Sequence, residues 1–248
     1  HAVYWPAFLM SAGIELPRKV FAHGFLFNQG EKMSKSVGNV IDPHAMVEEY
    51  GLDQLRFFLL REVPFGQDGN YSHDAIAGRI NSDLANDLGN LAQRSLSMVA
   101  KNLGGEVPEP GEFTAEDLAM LQQAEDVVAD YRAAFDALAF HRGLESVWRV
   151  IASANRYFTA QEPWVLRKTD PERMATVLYV TAEVLRIVAI LVQPVMPGSM
   201  ARLLEQLGQP EGEARMFSAL GTRLAPGTAL PKPSGVFPRY EEPAALAD

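Results

Sequence analysis

Between Ser72 and Leu207 apolar residues recur at helical spacing through segment after segment, and nothing else in the chain limits its fold as tightly. Leu84, Leu88, Leu91 and Met98 fall on one stripe at about 100° per residue. Gly104-Gly105 and the stretch from Pro108 to Pro110 end that helix, and long helices are predicted at about 114–138, 141–158 and 171–191. Pro194 and Pro197 break the run before a shorter helix at about 199–207. Helices joined by such short breaks bury their apolar stripes against one another, so this region predicts a bundle. Hydrophobic residues are 48% of 248, enough for a sizeable core, which argues against a disordered chain. The chain has no Cys, which excludes disulfides, thiolate zinc sites and cysteine nucleophiles together and suits a reducing compartment.

Residues 1–72 are mixed in character. A helix is predicted over residues 1–12, with Gly13 as its stop. Residues 20–27 are apolar and β-rich, and Asn28-Gln29-Gly30 supplies turn chemistry, so a strand should lead into a loop. Asp42-Pro43 is a helix start and Gly51 its end, with Asp53 able to cap a following helix at 54–61. Residues 64–70 read as loop. The whole is an α/β remnant followed by a mainly α bundle, with no internal repeat. From Ala225 the tail carries Pro226, Pro231, Pro233 and Pro238, so it should be extended and lie on the surface.

The net charge is −9, which excludes a wholesale electrostatic grip on nucleic acid but not a local basic patch. The longest apolar runs, such as 184–195, are broken by Arg186, Gln193 and Pro194 and fall short of the roughly 20 residues a membrane span needs. No basic targeting segment precedes the first apolar stretch. The expectation is a soluble, cytoplasmic protein with no membrane partner. Because His1 stands where a start Met would be, the chain reads as a piece of a longer one.

Lys32-Met33-Ser34-Lys35-Ser36, framed by Gly30 and Gly38, is the strongest chemical signal. Two ammoniums three apart, two hydroxyls and flanking glycines suit a polyphosphate. Such a loop could equally be a solvated surface turn, but this five-residue string arises by chance in a chain this long with a frequency on the order of one in ten thousand. A second constellation is Asn86, Asn90 and Arg94, which α-helical spacing places within about 80° on one face. Asn and Arg read base edges bidentately, although a polar stripe is also what any solvated helix face shows. Trp164 follows Pro163 in the break between two long helices, where it is either core or an aromatic platform. Arg142, Arg149 and Arg156 are spaced by seven along one helix, a phosphate-facing stripe or a set of partners for Glu145. Residues 106–130 hold eight acidic residues and no Lys or Arg, and should face away from any phosphate-bearing partner.

The Lys32–Ser36 string resembles the second signature motif of class I aminoacyl-tRNA synthetases. Its surroundings resemble the methionyl-tRNA synthetase family: the string from His1 through Trp5-Pro6, Ala22-His23-Gly24-Phe25, Glu162-Pro163-Trp164, and Val236-Phe237-Pro238-Arg239. The resemblance covers nearly the whole chain. It implies the end of a Rossmann catalytic domain with the lysine loop over 1–41, a connecting stem over 42–72, an all-α anticodon-binding bundle over 73–224 and a returning tail over 225–248. It implies ATP- and Mg²⁺-dependent conversion of methionine to methionyl-adenylate, then transfer to tRNA(Met) bearing a CAU anticodon. Lys35, supported by Lys32, would neutralise the pyrophosphate. His23, Gly24, Met33, Ser34 and Ser36 would line the ATP site. His1 and Trp5 would belong to the methionine pocket, where an aromatic ring suits a thioether. Asn86, Asn90, Arg94 and Trp164 would contact the anticodon.

The chain departs from that family in lacking the first class I signature and the cysteine-bearing insertion, so no structural zinc or other metal ligand set is expected. Its partner would then be the N-terminal part of the same enzyme, without which no adenylate should form. No further domain is expected after Asp248, and on that reading a monomer is expected. Two other readings stay open here: a leucyl-, valyl-, isoleucyl- or cysteinyl-type class I synthetase, and a non-catalytic helical RNA-binding module.

Overall fold

The computed structural model describes residues 1–34, 36 and 38–242; Lys35, Val37 and residues 243–248 lie outside the described residues. An apolar helix, α1 (Tyr4–Ser11), opens the chain and is closed by Gly13 at φ 68°. It buries none of its residues. The strand expected over 20–27 is only three residues long, β1 (Leu26–Asn28). Residues 20–23 and 25 are exposed, and apolar composition alone makes no strand where no neighbouring chain offers a ladder. Gln29 and Gly30, at φ 51° and 83°, turn β1 into the antiparallel β2 (Glu31–Lys32), pairing Phe27 with Lys32 and Asn28 with Glu31. Positive φ at both central residues suits a two-residue hairpin, because that turn matches the strand twist.

The stem follows. In α2 (Pro43–Tyr50), Asp42 accepts the His44 N–H at 2.9 Å and Pro43 takes the first helical position. Gly51, at φ 89°, separates it from α3 (Leu52–Glu62). Asp53 does not cap α3; it is buried and bonds elsewhere, to Ser199. The expected loop at 64–70 ends in β3 (Gly69–Tyr71), which pairs parallel to β1 because the free edge of β1 needs partners for its amides and carbonyls. The sheet order is β2-β1-β3. Met46, Tyr50, Leu55, Phe58, Ile76 and Ile80 form a small core under this stem.

Ser72 caps α4 (His73–Arg79), accepting the Ala75 N–H at 3.2 Å. The helix then widens into a π-helical segment, Ile80–Gly89, and narrows again as α5 (Asn90–Asn102). Leu84, Leu88 and Leu91 are fully buried, as their stripe predicts. Next come α6 (Ala115–Asp136), which starts with a capping box between Thr114 and Asp117, and α7 (Phe140–Gln161). The short α8 (Pro163–Thr169) precedes α9 (Pro171–Val192) and α10 (Pro197–Gln206).

The bundle is organised around α9, which packs on α5, α6, α7, α8 and α10. Contrary to the sequence expectation, α9 is long and apolar enough to cross a membrane by length and composition. Every residue from 174 to 192 is nevertheless buried inside the protein, so α9 is a core helix apolar all round. The ion pair within it, Arg186 with Glu183, is buried and fully partnered. Arg186 donates to Glu183 at 2.6 and 2.9 Å and to the carbonyls of Ala219 and Leu220, while Glu183 also accepts the Leu224 N–H. This network ties the chain after α10 to the core.

The tail is extended, but it is not merely superficial. Val236 and Phe237 are buried in the main core. Beyond them, Tyr240 returns to the stem: its hydroxyl donates to Glu49 at 2.9 Å, and its backbone exchanges hydrogen bonds with the Asn81 side chain.

Candidate functional site

The candidate residues fall on two parts of the surface. The first is the loop at the end of the β1–β2 hairpin. Lys32 is exposed on β2, its Nζ 5.0 Å from the centroid of the Phe25 ring. The Ser34 and Ser36 hydroxyls stand 2.7 Å apart, and the Gly38 N–H bonds the Ser34 carbonyl at 3.1 Å, closing the turn with Gly38 at φ 74°. Met33 is half-buried beside them. Lys35, expected to be central to catalysis, lies outside the described residues.

Asn39 holds the two ends of this loop together. Its Oδ1 accepts the Ser34 N–H at 2.8 Å, and its Nδ2 donates to the Lys32 carbonyl at 3.3 Å. Asn28 on β1 in turn donates to the Asn39 carbonyl at 3.0 Å. Sequence reasoning read Asn28 only as turn chemistry and passed over Asn39; the signal available is that Asn readily bonds neighbouring backbone in turns.

Gly24 sits against the 64–68 loop so closely that a Cβ there would lie 2.1 Å from the Gln67 carbonyl oxygen. Next to it, the Phe25 N–H donates to Asp68 Oδ1 at 2.7 Å, which docks this segment on the loop before β3. The His23 side chain is exposed, with Nδ1 2.8 Å from the Gly24 carbonyl and its ring 6.1 Å from Phe65. His1 and Trp5 are exposed on or before α1, and among the described residues no hydrogen bond joins them to the loop. The hairpin loop thus gathers Lys32, Met33, Ser34 and Ser36.

The second surface lies on the bundle. Asn86 is in the π segment and Asn90 opens α5; both are exposed, and Asn90 Nδ2 donates to Asn86 Oδ1 at 3.0 Å. One turn on, the exposed Arg94 guanidinium stands 5.0 Å from the Phe158 ring and 5.5 Å from Trp164. Trp164 is in the first turn of α8 rather than in an irregular break. Glu162, at φ 46°, ends α7 in the left-handed region, and buried Pro163 starts the next helix, turning the Trp outward at 39% exposure. Phe158, fully buried, supports both partners from below, with its ring 6.1 Å from that of Trp164. Residues from three elements thus converge on one patch of amide, guanidinium and indole. Such groups pair with base edges and stack on bases.

A buried network braces this patch. Arg173 donates to both oxygens of Asp117, at 2.5 and 2.8 Å, and to Gln161 Oε1 at 2.6 Å, next to the left-handed Glu162. The Tyr157 hydroxyl also donates to Asp117. Burial disfavours the Asp117 carboxylate, but the hydrogen bonds from Arg173, Tyr157 and the Thr114 backbone outweigh it and hold its pKa below the ordinary value. Burial first, then Asp117, pushes the Tyr157 hydroxyl well up.

Arg142, Arg149 and Arg156 are exposed along α7, and among the described residues none has an acidic partner within 4 Å, Glu145 included. Burial, with Arg142 and Arg61 next, holds the neighbouring His141 below the usual imidazole pKa. Within the acidic segment, Asp117 is in the core, and Asp126 and Asp130 share a groove with Arg149. Both follow from the close packing of α6 on α7.

A lysine-bearing hairpin loop, a pair of linking helices and an all-helical bundle fit the architecture of a class I aminoacyl-tRNA synthetase. The family described as "tRNA synthetases class I (M)" matches residues 1–96, and the "Anticodon binding domain of methionyl tRNA ligase" matches residues 107–245. The chain belongs to the methionyl-tRNA synthetase family. It is 63% identical to methionine–tRNA ligase of Mycobacterium tuberculosis over 247 residues, 98% of this chain and 47% of the relative. It is 64% identical to that of Brucella melitensis over 242 residues, 98% and 47%. The solved M. tuberculosis methionyl-tRNA synthetase in complex with methionyl-adenylate superposes with a TM-score of 0.91 at 63% identity, covering 96% of this chain and 48% of that one. The chain therefore spans about half the length of the curated relatives it matches.

Proposed function

We propose that this chain is the part of a methionine–tRNA ligase that carries the pyrophosphate-stabilising loop and reads the anticodon of tRNA(Met). In the reaction, a methionine carboxylate oxygen would attack the α-phosphorus of ATP and the bond to the β-phosphate oxygen would break. Pyrophosphate leaves and methionyl-adenylate remains; the terminal ribose hydroxyl of the tRNA then takes the methionyl group and AMP departs. Charge grows on the leaving pyrophosphate, so ammoniums and backbone N–H groups held in place before the step lower its barrier. Lys32 and Lys35 are assigned that role, with Met33, Ser34, Ser36, His23 and Gly24 at the nucleotide. His1 and Trp5 are assigned to the methionine side, and Asn86, Asn90, Arg94 and Trp164 to the CAU anticodon.

Among the described residues no group of three His, Asp or Glu side chains could hold a metal ion. A Mg²⁺ accompanying ATP is taken as part of the nucleotide substrate, and no residue here is assigned to it. The bare apolar surface of α1, with Val3, Tyr4, Trp5, Phe8 and Met10 all exposed, suits burial against the N-terminal part of the same enzyme. The reading is of a cytoplasmic enzyme acting as a monomer.

The observation that carries the proposal is the meeting of Asn90, Arg94 and Trp164 in one exposed patch, on a chain that also bears the lysine loop. A titration of the protein with anticodon stem-loops carrying CAU or three altered bases, at fixed salt, tests it. Preference for CAU supports the assignment; equal, salt-sensitive binding to both rejects it.

A further inference from the structure

The polar stripe on the bundle depends on a departure from α-helical winding. In an α-helix Asn90 would lie about 40° round from Asn86, and Arg94 about 80°. The interval from Asn86 to Asn90 is instead wound as the end of the π segment, and the Asn90 N–H bonds the Ala85 carbonyl, five residues back. Such a ladder turns through roughly 80–85° per residue, so four residues fall about 30° short of a full turn. The α-helical step from Asn90 to Arg94 then adds about 40°. The two offsets nearly cancel, and Asn86 and Arg94 come into line on either side of Asn90. The 3.0 Å bond between the two asparagines agrees with this alignment.

Specific residues maintain the π register. A Cβ on Gly89 would stand 2.9 Å from the Leu84 carbonyl oxygen, also five residues back, so any side chain there must displace that carbonyl. The Cβ of Phe237, from the returning tail, lies 3.8 Å from the same point and closes the other side. From α7, Trp148 Nε1 donates to the Asp83 carbonyl at 3.3 Å, and Asn155 Nδ2 to the Asp87 carbonyl at 3.0 Å. Two carbonyls of the widened turns thus gain donors that a plain α-helix would not require.

We infer that Gly89 and Asn155 are positioning residues for base recognition: they hold the π register that aligns Asn86 with Asn90 and Arg94 against single-stranded bases of the RNA. This inference rests on the anticodon assignment above. With a side chain at 89, the local winding relaxes toward i→i+4 bonds and swings Asn86 out of line by about 70°. Asn86 would lose its base while Arg94 and Trp164 keep theirs.

The test uses the complete gene product and stem-loops in which each of the three anticodon bases is altered singly. Dissociation constants are measured for wild type, Asn86→Ala, Gly89→Ala, Asn155→Ala, Trp164→Ala and the double variants with Asn86→Ala. Gly89→Ala is expected to weaken CAU binding by about tenfold or more. It should also lose discrimination at the same base as Asn86→Ala, and leave the base sensitive to Trp164→Ala untouched. The Gly89→Ala/Asn86→Ala double variant should bind no worse than the weaker single. Additive losses, or loss of discrimination at all three bases alike, overturn the inference. If Gly89→Ala does not fold, the Asn155→Ala pair decides by the same criterion. If neither Asn86→Ala nor Trp164→Ala changes any affinity, the anticodon assignment itself fails, which is a separate outcome.

Discussion

Asp53 of α3 caps α10 from across the molecule: its Oδ2 accepts the Ser199 backbone N–H at 2.5 Å. One turn along α3, Arg56 donates to the carbonyls of Pro194 and Val195 at 2.8 Å, just past the C-terminus of α9. The anion thus meets a helix N-terminus and the cation a C-terminus, the arrangement favoured by the helix dipoles. Together they fasten the stem to the bundle. Asp53→Ala is expected to lower stability by about 2 kcal/mol, because the cap and its charge are lost within a buried joint. Asp53→Asn keeps an acceptor and should lose about half as much. Urea unfolding reads both, and midpoints equal to wild type would remove the joint from the account of stability.

Arg94 and Trp164 differ in what they offer a base. The indole gives a stacking face, and Trp164→Ala should weaken CAU stem-loop binding by about 1–3 kcal/mol, with Trp164→Phe recovering part of it. Arg94→Lys keeps the charge but loses the planar fork and its seat 5.0 Å from Phe158. Its salt dependence should stay as in wild type while preference for CAU falls. Unchanged preference in Arg94→Lys would reduce Arg94 to a phosphate contact.

Much of this site was legible because side-chain type and spacing carry it. Asn90 and Arg94 are four apart on an amphipathic helix, and the lysine loop is a recognisable string. What was not legible depends on partners distant in sequence. The π register cannot be read from Leu84, Leu88 and Leu91, whose burial suits either winding. Asp117 reads as one more acid in an acidic segment until Arg173 meets it in the fold. Gly69-Asn70-Tyr71 shows no strand alternation and becomes a strand only because β1 offers it an edge. Asp53 looks like the cap of its own helix and instead caps another.

Asn39 should matter to the rate of adenylate formation although no phosphate need touch it. Without its side chain, Ser34 loses the acceptor for its N–H and the Lys32 carbonyl loses its donor. The loop would then be held less firmly at the moment charge develops. In the complete enzyme, Asn39→Ala is expected to lower kcat for methionine-dependent pyrophosphate exchange by about ten- to a hundredfold. The methionine KM and the melting temperature should change little. A rise in methionine KM at constant kcat would instead place Asn39 in ground-state binding.

The Asp117–Arg173 pair sets an acid limit on the bundle. Burial works against the Asp117 carboxylate, but hydrogen bonds from Arg173, Tyr157 and the Thr114 backbone outweigh it and hold its pKa below the ordinary carboxylate value. A carboxylate whose pKa is depressed on folding contributes stability that is fully present above its unfolded value and is lost as pH falls through the folded one. The contribution should therefore be constant through neutral pH and decline below about pH 4. Asp117→Asn removes the ion pair and leaves Arg173 unpaired at 17% exposure, at an expected cost of about 3 kcal/mol at pH 7. Since the variant has no proton to take up there, its stability should fall less steeply than wild type between pH 5 and pH 3, and the two curves should converge. Urea unfolding across that range measures the difference. Parallel curves would mean that Asp117 ionises alike in the folded and unfolded chains, and the brace behind Trp164 would have to be assigned to Gln161 and Tyr157 alone.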